Sequence, residues 1–179
     1  MFTAFRDSPL VDDLVNSFFT SARNWVEPGR DPLVLDLNGS GITTSGINPA
    51  APLYFDHAGD GVPNATGWVG AGEGLVVRDL NGNGLIDSGR ELFGDNTVIT
   101  RPDVPGTLNP RFGKNATDGF DALRDLDSNN DGKFDASDAA FASVKIWKDL
   151  NQNAISETGE LFTLNDAGVQ SISLTATPS

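Results

Sequence analysis

The chain has 179 residues and no cysteine, which excludes a disulfide framework, thiol catalysis and a thiolate metal site. It carries 25 acidic and 12 basic residues, and a formal net charge of −13 argues against nucleic acid or an anionic membrane surface as a partner. With 38% hydrophobic residues the chain can build a core, while its many Asp, Asn and Gly residues favour tight turns whose oxygens converge on a hard cation.

The N-terminal segment has the pattern of an amphipathic helix. Apolar side chains recur at helical spacing over Pro9–Trp25, and the pair Pro28-Gly29 ends the pattern. The start of the chain has no apolar stretch of signal-peptide length, and no segment is long enough to span a bilayer, so we expect no membrane insertion. We assign residues 1–30 to an N-terminal helix and linker, and residues 32–179 to a separate module.

The first half of this module is predicted to form short strands with little helix. Short apolar runs alternate with turns that are rich in Gly, Asn and Asp. The predicted strands are Leu33–Leu37, Leu53–Phe55, Trp68–Val69 and Leu75–Val77.

The second half is predicted to contain more helix. Asp118 can cap a helix over Gly119–Leu126, and Ser137 can open another over Asp138–Ala142. A turn-rich loop separates the two, as in an EF-hand. The remaining predicted elements are a strand at Val144–Trp147, a short helix at Thr163–Ala167 that ends at Gly168, and a strand at Val169–Leu174.

The loop between these two helices matches a calcium-binding pattern. Such a site needs oxygen-bearing side chains at alternate positions, glycine at the sixth position and an acid at the twelfth. The segment Asp127–Asp138 fits at each of these positions. Its predicted ligands are Asp127, Asn129, Asp131, the carbonyl oxygen of Lys133, and Asp138.

Two further loops fit the pattern with one departure each. In the loop that begins at Asp79 the acid lies one position late, and in the loop that begins at Asp149 an alanine, Ala154, replaces the glycine. The predicted ligands are Asp79, Asn81, Asn83, Asp87 and Glu91 in the first loop, and Asp149, Asn151, Asn153 and Glu160 in the second.

Two more loops are less complete. The loop with Asp36, Asn38 and Ser40 has no acid downstream and must borrow ligands from elsewhere in the fold. The loop with Asp56 and Asp60 has an alanine where an oxygen ligand is expected. We predict three to five bound calcium ions and a fold that depends on them, because clustered carboxylates repel one another when no cation is present.

The sequence therefore predicts an α+β fold. We expect a small calcium-built domain of short strands and turns, with an EF-hand-like helix-loop-helix in its second half and an amphipathic helix in front of it.

Several segments resemble the self-processing module of FrpC-type RTX proteins, in their order as well as their residues. The resemblance runs from Asp31 to about Leu174. It implies that calcium triggers cleavage of the Asp31–Pro32 bond, and that the freed aspartyl end can be linked to a lysine amine of this chain or of another protein. The segments that carry it are 31–39, Gly67–Val69, Gly74–Gly84, Glu91–Asp95 and Trp147–Gln152.

The chemistry of an Asp-Pro bond is compatible with this implication. The carboxylate of Asp31 can attack its own main-chain carbonyl carbon and form a five-membered anhydride, and attack within one residue needs no second molecule. Pro32 is the leaving group, and its tertiary amide twists more readily than an ordinary peptide bond. A single histidine, His57, is a weak candidate for the proton donor.

The expected setting is outside the cell. Cytosolic calcium is too low to fold such loops, whereas millimolar calcium outside saturates sites with affinities of about 10⁻⁴–10⁻³ M. We therefore predict a secreted protein that uses a type I route, which reads no N-terminal signal. The alternatives are a calcium-stabilised spacer or binding module of a secreted adhesin, without chemistry, and a dockerin-like partner-binding domain.

Overall fold

The structure is a computed structural model and describes residues 32–101 and 111–174. These residues belong to the compact unit Asp31–Ser179. The helix predicted over Pro9–Trp25 and the reacting residue Asp31 lie outside the described residues. In the two described stretches, no helix combines the length and apolar character that a membrane crossing needs.

Short β-strands dominate the described residues, and one short α-helix, α1 (Gly119–Arg124), interrupts them. Single 3-10 turns occur at Gly89–Glu91 and Phe141–Ser143. The strands are β1 (Val34–Asp36), β2 (Thr44–Ser45), β3 (Leu53–Phe55), β4 (Asn64–Thr66), β5 (Trp68–Val69), β6 (Glu73–Val77), β7 (Lys133–Asp135), β8 (Lys145–Trp147), β9 (Leu161–Thr163) and β10 (Ser171–Ser173).

A four-stranded antiparallel sheet in the order β1-β6-β8-β9 forms the centre of the fold. All five residues of β6 are buried, as expected for a strand that has neighbours on both sides and is covered on both faces. Three two-stranded antiparallel ribbons surround it, β7 with β10, β2 with β5 and β3 with β4.

The core lies on both faces of this sheet, because neighbouring residues of a strand point in opposite directions. Val76 and Ile146 enter one hydrophobic cluster, which Ala122 and Leu123 of α1 and the ribbon of β7 and β10 complete. Leu75, Val77 and Trp147 enter the other, which β3 and β5 complete. The loops that begin at Asp36, Asp79 and Asp149 therefore leave from the ends of one well-packed sheet.

The α+β prediction, with its EF-hand-like helix-loop-helix, is wrong. The entering helix exists as α1, with the Asp118 side chain accepting a hydrogen bond from the Asp121 amide at 2.8 Å. The loop leads into β7, where Phe134 is fully buried and which pairs with β10. No second helix follows: a single 3-10 turn covers Phe141–Ser143 and β8 begins at Lys145, because Ile146 and Trp147 are buried in the central sheet.

The short helix predicted over Thr163–Ala167 is also absent. Thr163 ends β9, and the chain turns once, with the Ala167 amide donating to the Thr163 carbonyl at 3.0 Å. Gly168 ends this turn with φ +80°, so the glycine does mark a chain reversal, although no helix precedes it.

Candidate metal-binding loops and the Asp31–Pro32 junction

All five predicted loops share one backbone conformation. Residues at the fourth and sixth positions have positive φ values, which glycine adopts without steric cost. At the fourth position these residues are Gly39, Gly59, Gly82, Asn130 and Gln152, and at the sixth they are Gly41, Gly61, Gly84, Gly132 and Ala154. The φ of Ala154 is +60°, so the loop beginning at Asp149 forms even though a β-carbon disfavours that conformation.

The first aspartate of each loop holds this conformation in place. Its carboxylate accepts a hydrogen bond from the amide of the residue at the sixth position, which closes the loop on itself. The distances are 2.8 Å from Gly41 to Asp36, 2.8 Å from Gly61 to Asp56, 2.8 Å from Gly84 to Asp79, 3.0 Å from Gly132 to Asp127 and 2.7 Å from Ala154 to Asp149.

Side chains at the third and fifth positions stiffen the loops further. The Asn and Asp side chains at these positions accept a hydrogen bond from the amide two residues later, which is an Asx-turn. Asn38, Asn81 and Asn129 do so at 2.8, 2.9 and 3.0 Å, and Asn151 does so at 3.2 Å. Asn83, Asp131 and Asn153 repeat the contact at the fifth position.

The downstream acids predicted for three of the loops are brought to equivalent places. Each is buried, and each accepts amide hydrogen bonds from the second and the ninth residues of its own loop. Glu91 accepts from Leu80 and Asp87 at 3.0 Å each. Because a 3-10 turn covers Gly89–Glu91, the acid that is one position late still reaches these partners. Asp138 accepts from Ser128 and Asp135 at 2.7 and 3.0 Å, and Glu160 from Leu150 and Glu157 at 3.0 and 3.2 Å.

The loops differ in how deeply their predicted ligands lie. The ligands Asp79 and Asn153 are half-buried, as is Pro32 of the proposed scissile bond. The buried ligands are Asp56, Glu91, Asp127, Asp138, Asp149 and Glu160, and the exposed ones are Asp36, Asn38, Ser40, Asp60, Asn81, Asn83, Asp87, Asn129, Asp131, Lys133 and Asn151.

Two buried carboxylate oxygens have no hydrogen-bond partner. They are Oδ1 of Asp127 and Oε2 of Glu73, in side chains that are 3% and 1% exposed. A carboxylate loses its hydration on burial, and an oxygen left without a donor or a cation costs free energy. The Arg101 guanidinium donates to the main-chain carbonyl of Asp127 and to the Asn130 side chain, so a basic group lies at this loop, while the Oδ1 atom of Asp127 itself accepts no hydrogen bond.

Glu73 is a site residue that the sequence analysis missed. It lies directly opposite Asp36 in the pairing of β1 with β6, and its Oε1 accepts from the Thr43 amide at 3.1 Å and the Thr43 hydroxyl at 3.0 Å. The sequence carries no signal for this, because Glu73 is remote from Asp36 along the chain and only strand register brings the two together.

Neighbouring segments contact the main chain of the fifth loop. Asn96 donates to the main-chain carbonyl oxygens of His57 and Ala58 at 3.2 and 2.9 Å, and the Arg90 side chain donates to the Gly59 carbonyl at 3.1 Å. These carbonyls are at the second, third and fourth positions, whereas the main-chain ligand of such a site is at the seventh position. The contacts therefore anchor the loop to its surroundings and do not involve the seventh position.

Main-chain amides also stabilise the charged form of Asp36. Hydrogen bonds from the amides of Gly41, Gly39, Asn38 and Ser40 lower the pKa of the Asp36 carboxyl, with the Gly41 amide contributing most. The carboxylate is therefore ionised and available as an anionic ligand at neutral pH.

The residue after the proposed scissile proline is held firmly. The Leu33 amide donates to the Phe93 carbonyl at 2.6 Å, the Phe93 amide to the Val76 carbonyl at 3.1 Å, and the Val76 amide to the Leu33 carbonyl at 2.9 Å. This closed ring of hydrogen bonds fixes the chain immediately after Pro32. Gly119 abuts the ring, since a β-carbon there would lie 2.6 Å from the Leu33 β-carbon.

The remaining sequence candidates lie apart from this ring. His57 is half-buried, with Nε2 3.0 Å from the Thr66 hydroxyl and its ring 4.9 Å from that of Phe55. Lys114 and Lys133 are exposed, and the Lys148 ammonium lies 5.5 Å from the centre of the Phe162 ring.

Within residues 32–101 and 111–174, no three or more His, Cys, Asp or Glu side chains form a group able to hold a metal ion. A cation in one of these loops would therefore also need oxygens from amides, hydroxyls or the main chain.

Comparison with known proteins defines the class of this domain. Residues 33–179 match the family described as the SPM domain, and the chain belongs to that family. It is 45% identical over 175 residues to the iron-regulated protein FrpA of Neisseria meningitidis serogroup C. The match covers 93% of this chain but 15% of that relative, so the chain spans a small part of the length of the curated relative it matches.

Proposed function

We propose that this chain cleaves its own Asp31–Pro32 bond when calcium organises the loops of the domain. The observation that carries the proposal is the ring of hydrogen bonds at Leu33, since it holds the chain beside the bond against β6. Strand β1 runs from this ring directly into the Asp36 loop. Folding of that loop and placement of the scissile bond are thus linked through one short strand.

Calcium fits the residues that are present. The donors at the first, third and fifth positions are carboxylate, amide and hydroxyl oxygens, which are the ligands that calcium prefers. An unpartnered, buried oxygen of Asp127 supports a cation in its loop. Residues of the loops beginning at Asp36, Asp79, Asp127 and Asp149 would hold the ions, whose charge would offset the excess of carboxylates. We leave out the Asp56 loop, because Ala58 takes the place of the oxygen-bearing side chain at its third position.

The proposed reaction takes place within Asp31. One carboxylate oxygen forms a bond to the main-chain carbonyl carbon, the bond from that carbon to the Pro32 nitrogen breaks, and the nitrogen takes up a proton. The product is a cyclic anhydride and a new N-terminus at Pro32. The role of the fold is to hold the bond in a reactive geometry. In a reaction within one molecule, such alignment acts as a very high effective concentration of the attacking group.

The anhydride then reacts with one of two nucleophiles. Water opens it to a C-terminal Asp31, whereas a lysine amine opens it to an amide and forms an isopeptide cross-link. The exposed side chains of Lys114 and Lys133 are accessible acceptors within this chain, and a lysine of another protein is an equally suitable acceptor.

We further propose that the domain acts outside the cell as part of a longer RTX-type protein. The membership of the SPM family and the similarity to FrpA support this setting. With a net charge of −13, the chain resists compaction at the low calcium level of the cytosol and folds after export, where calcium is abundant.

The test is incubation of the purified chain with millimolar calcium or with EDTA, followed by mass spectrometry. We expect fragments 1–31 and 32–179 in calcium but not in EDTA, together with a cross-linked species where a lysine has reacted. The Asp31→Ala variant should give no fragment in either condition. Calcium titration of Asp31→Ala checks that the variant still binds the ions. A wild-type chain that binds calcium and stays intact would contradict cleavage and favour a calcium-stabilised spacer.

A further inference from the structure

The pairing of β1 with β6 places two carboxylates side by side. Asp36 and Glu73 are direct cross-strand partners, so their side chains lie on the same face of the sheet with β-carbons about 4.5–5.5 Å apart. Like charges in this position destabilise a strand pair. Asp36 is exposed, but Glu73 is 1% exposed and cannot relieve the repulsion by turning into water.

The carboxylate of Glu73 is held against the Asp36 loop. Its Oε1 accepts both hydrogen bonds from Thr43, which follows the loop, while its Oε2 is buried and has no partner. Two main-chain hydrogen bonds join the turn before Glu73 to the same loop, from the Gly70 amide to Thr43 at 2.9 Å and from Leu37 to Gly72 at 3.3 Å. The unpartnered oxygen therefore belongs to an enclosed site that the loop and this turn build together.

We propose that Glu73 supplies the acid that the Asp36 loop lacks, and that one calcium ion binds between them. The donors on the loop side are the oxygens of Asp36, Asn38 and Ser40, and no described basic side chain forms an ion pair with either carboxylate. A hard divalent cation suits an all-oxygen site with two negative charges.

The position of this ion gives it a specific role, and this step rests on the proposed function. An ion bound by both Asp36 and Glu73 clamps β1 onto β6. The Val76 amide on β6 donates to the carbonyl of Leu33, the residue between Pro32 and β1. The Asp79 loop leaves β6 at its other end, and its acid Glu91 lies two residues before Phe93, so that loop also borders the ring at Leu33. The cross-strand ion is thus the one that fixes β1, the strand that follows the scissile bond, against β6.

The test replaces Glu73 with glutamine, which keeps its shape and its hydrogen-bond acceptor but removes the charge. In calcium, Glu73→Gln should bind one ion fewer by native mass spectrometry at concentrations that saturate wild type, and cleavage should need at least about tenfold more calcium. At calcium concentrations that fold the chain but are too low to fill this site, the sign reverses, and Glu73→Gln should be more resistant to urea than wild type because the repulsion with Asp36 is gone.

A charge-matched control separates this effect from a change in net charge. Asp166→Asn removes an exposed carboxylate that contacts Thr163 and lies outside every loop, so its ion count should equal that of wild type. Glu73→Gln alters a buried residue, so a second variant that alters an exposed residue checks that the effect does not come from a disturbed core. Asn38→Ala changes the same site from the loop side and should weaken binding of the same single ion.

The outcomes distinguish the two proposals. If wild type never cleaves, the proposed function fails, but the ion count of Glu73→Gln still decides the site. An unchanged ion count in both Glu73→Gln and Asn38→Ala would overturn the cross-strand site. Loss of one ion with an unchanged calcium midpoint for cleavage would overturn its role in seating the bond.

Discussion

Replacement of Gly119 by alanine should disturb the chain beside the proposed scissile bond. A β-carbon at this buried position would lie 2.6 Å from the β-carbon of Leu33, 2.8 Å from the carbonyl oxygen of Phe93 and 2.9 Å from the amide nitrogen of Leu33. Two of these atoms are main-chain atoms, and they are joined to each other by a hydrogen bond of 2.6 Å. The added methyl group therefore cannot be accommodated by rotation of a side chain.

Two effects of opposite sign set the size of the change. Alanine favours a helix over glycine by about 1 kcal/mol, and Gly119 is the first residue of α1. Overpacking costs about 1–3 kcal/mol, and loss of the Leu33–Phe93 hydrogen bond adds about 1 kcal/mol. The unfavourable terms are larger, so we expect Gly119→Ala to lower the free energy of unfolding by about 1–3 kcal/mol.

Urea unfolding in saturating calcium measures this change. The Gly119→Ala protein and its reference both carry Asp31→Ala, so that cleavage does not interfere. The matched control is Gly46→Ala, the same chemical change at an exposed glycine where a β-carbon meets nothing within 4 Å. With Asp31 restored, Gly119→Ala should also slow cleavage, because the Leu33 segment has shifted. A Gly119→Ala protein as stable as the Gly46→Ala control would refute the packing argument.

Two further predictions concern polar contacts away from the junction. Hydrogen bonds from the Arg111 guanidinium lower the pKa of Asp121 from 3.8 to about 2, so this carboxylate stabilises the fold above pH 3.8 and the contribution is lost as pH falls through about 2. The shift corresponds to at most about 2.4 kcal/mol, and since Arg111 is 39% exposed we expect about 1–2 kcal/mol. The stability difference between wild type and Asp121→Asn, measured by urea unfolding, should therefore shrink between pH 4 and pH 2; a constant difference would contradict the pairing. Asn96→Ala removes the donor to the carbonyls of His57 and Ala58 and should cost about 1–3 kcal/mol without changing the number of calcium ions bound; loss of an ion would show that the Asp56 loop is a metal site.

The local elements of the fold could largely be predicted from the sequence. The apolar runs at Leu53–Phe55, Trp68–Val69 and Val144–Trp147 correspond to strands β3, β5 and β8, and Asp118 caps α1. The loop pattern of Asp, Asn and Gly at alternate positions corresponds to a recurring backbone conformation, because the side chains that specify it bond to amides a few residues away.

The error in fold class has a non-local cause. The residues after Asp131 match an EF-hand loop, and nothing nearby opposes a helix from Ser137 onward. Phe134 instead enters the core as part of β7, and its partner β10 lies at the far end of the described chain. Local pattern cannot reveal which distant strand is available to pair.

The order of residues along the chain was enough to specify where the chain turns and which carboxylate begins each loop. It also placed the Asp31–Pro32 bond just before the first loop. Interactions within about a dozen residues decide these features, so the pattern in the sequence suffices. The tertiary structure alone decided the pairing of Glu73 with Asp36, the contacts of Arg90 and Asn96 with the Asp56 loop, and the pairing of the strand after Asp131. Each depends on the register or packing of segments that only the complete fold brings together.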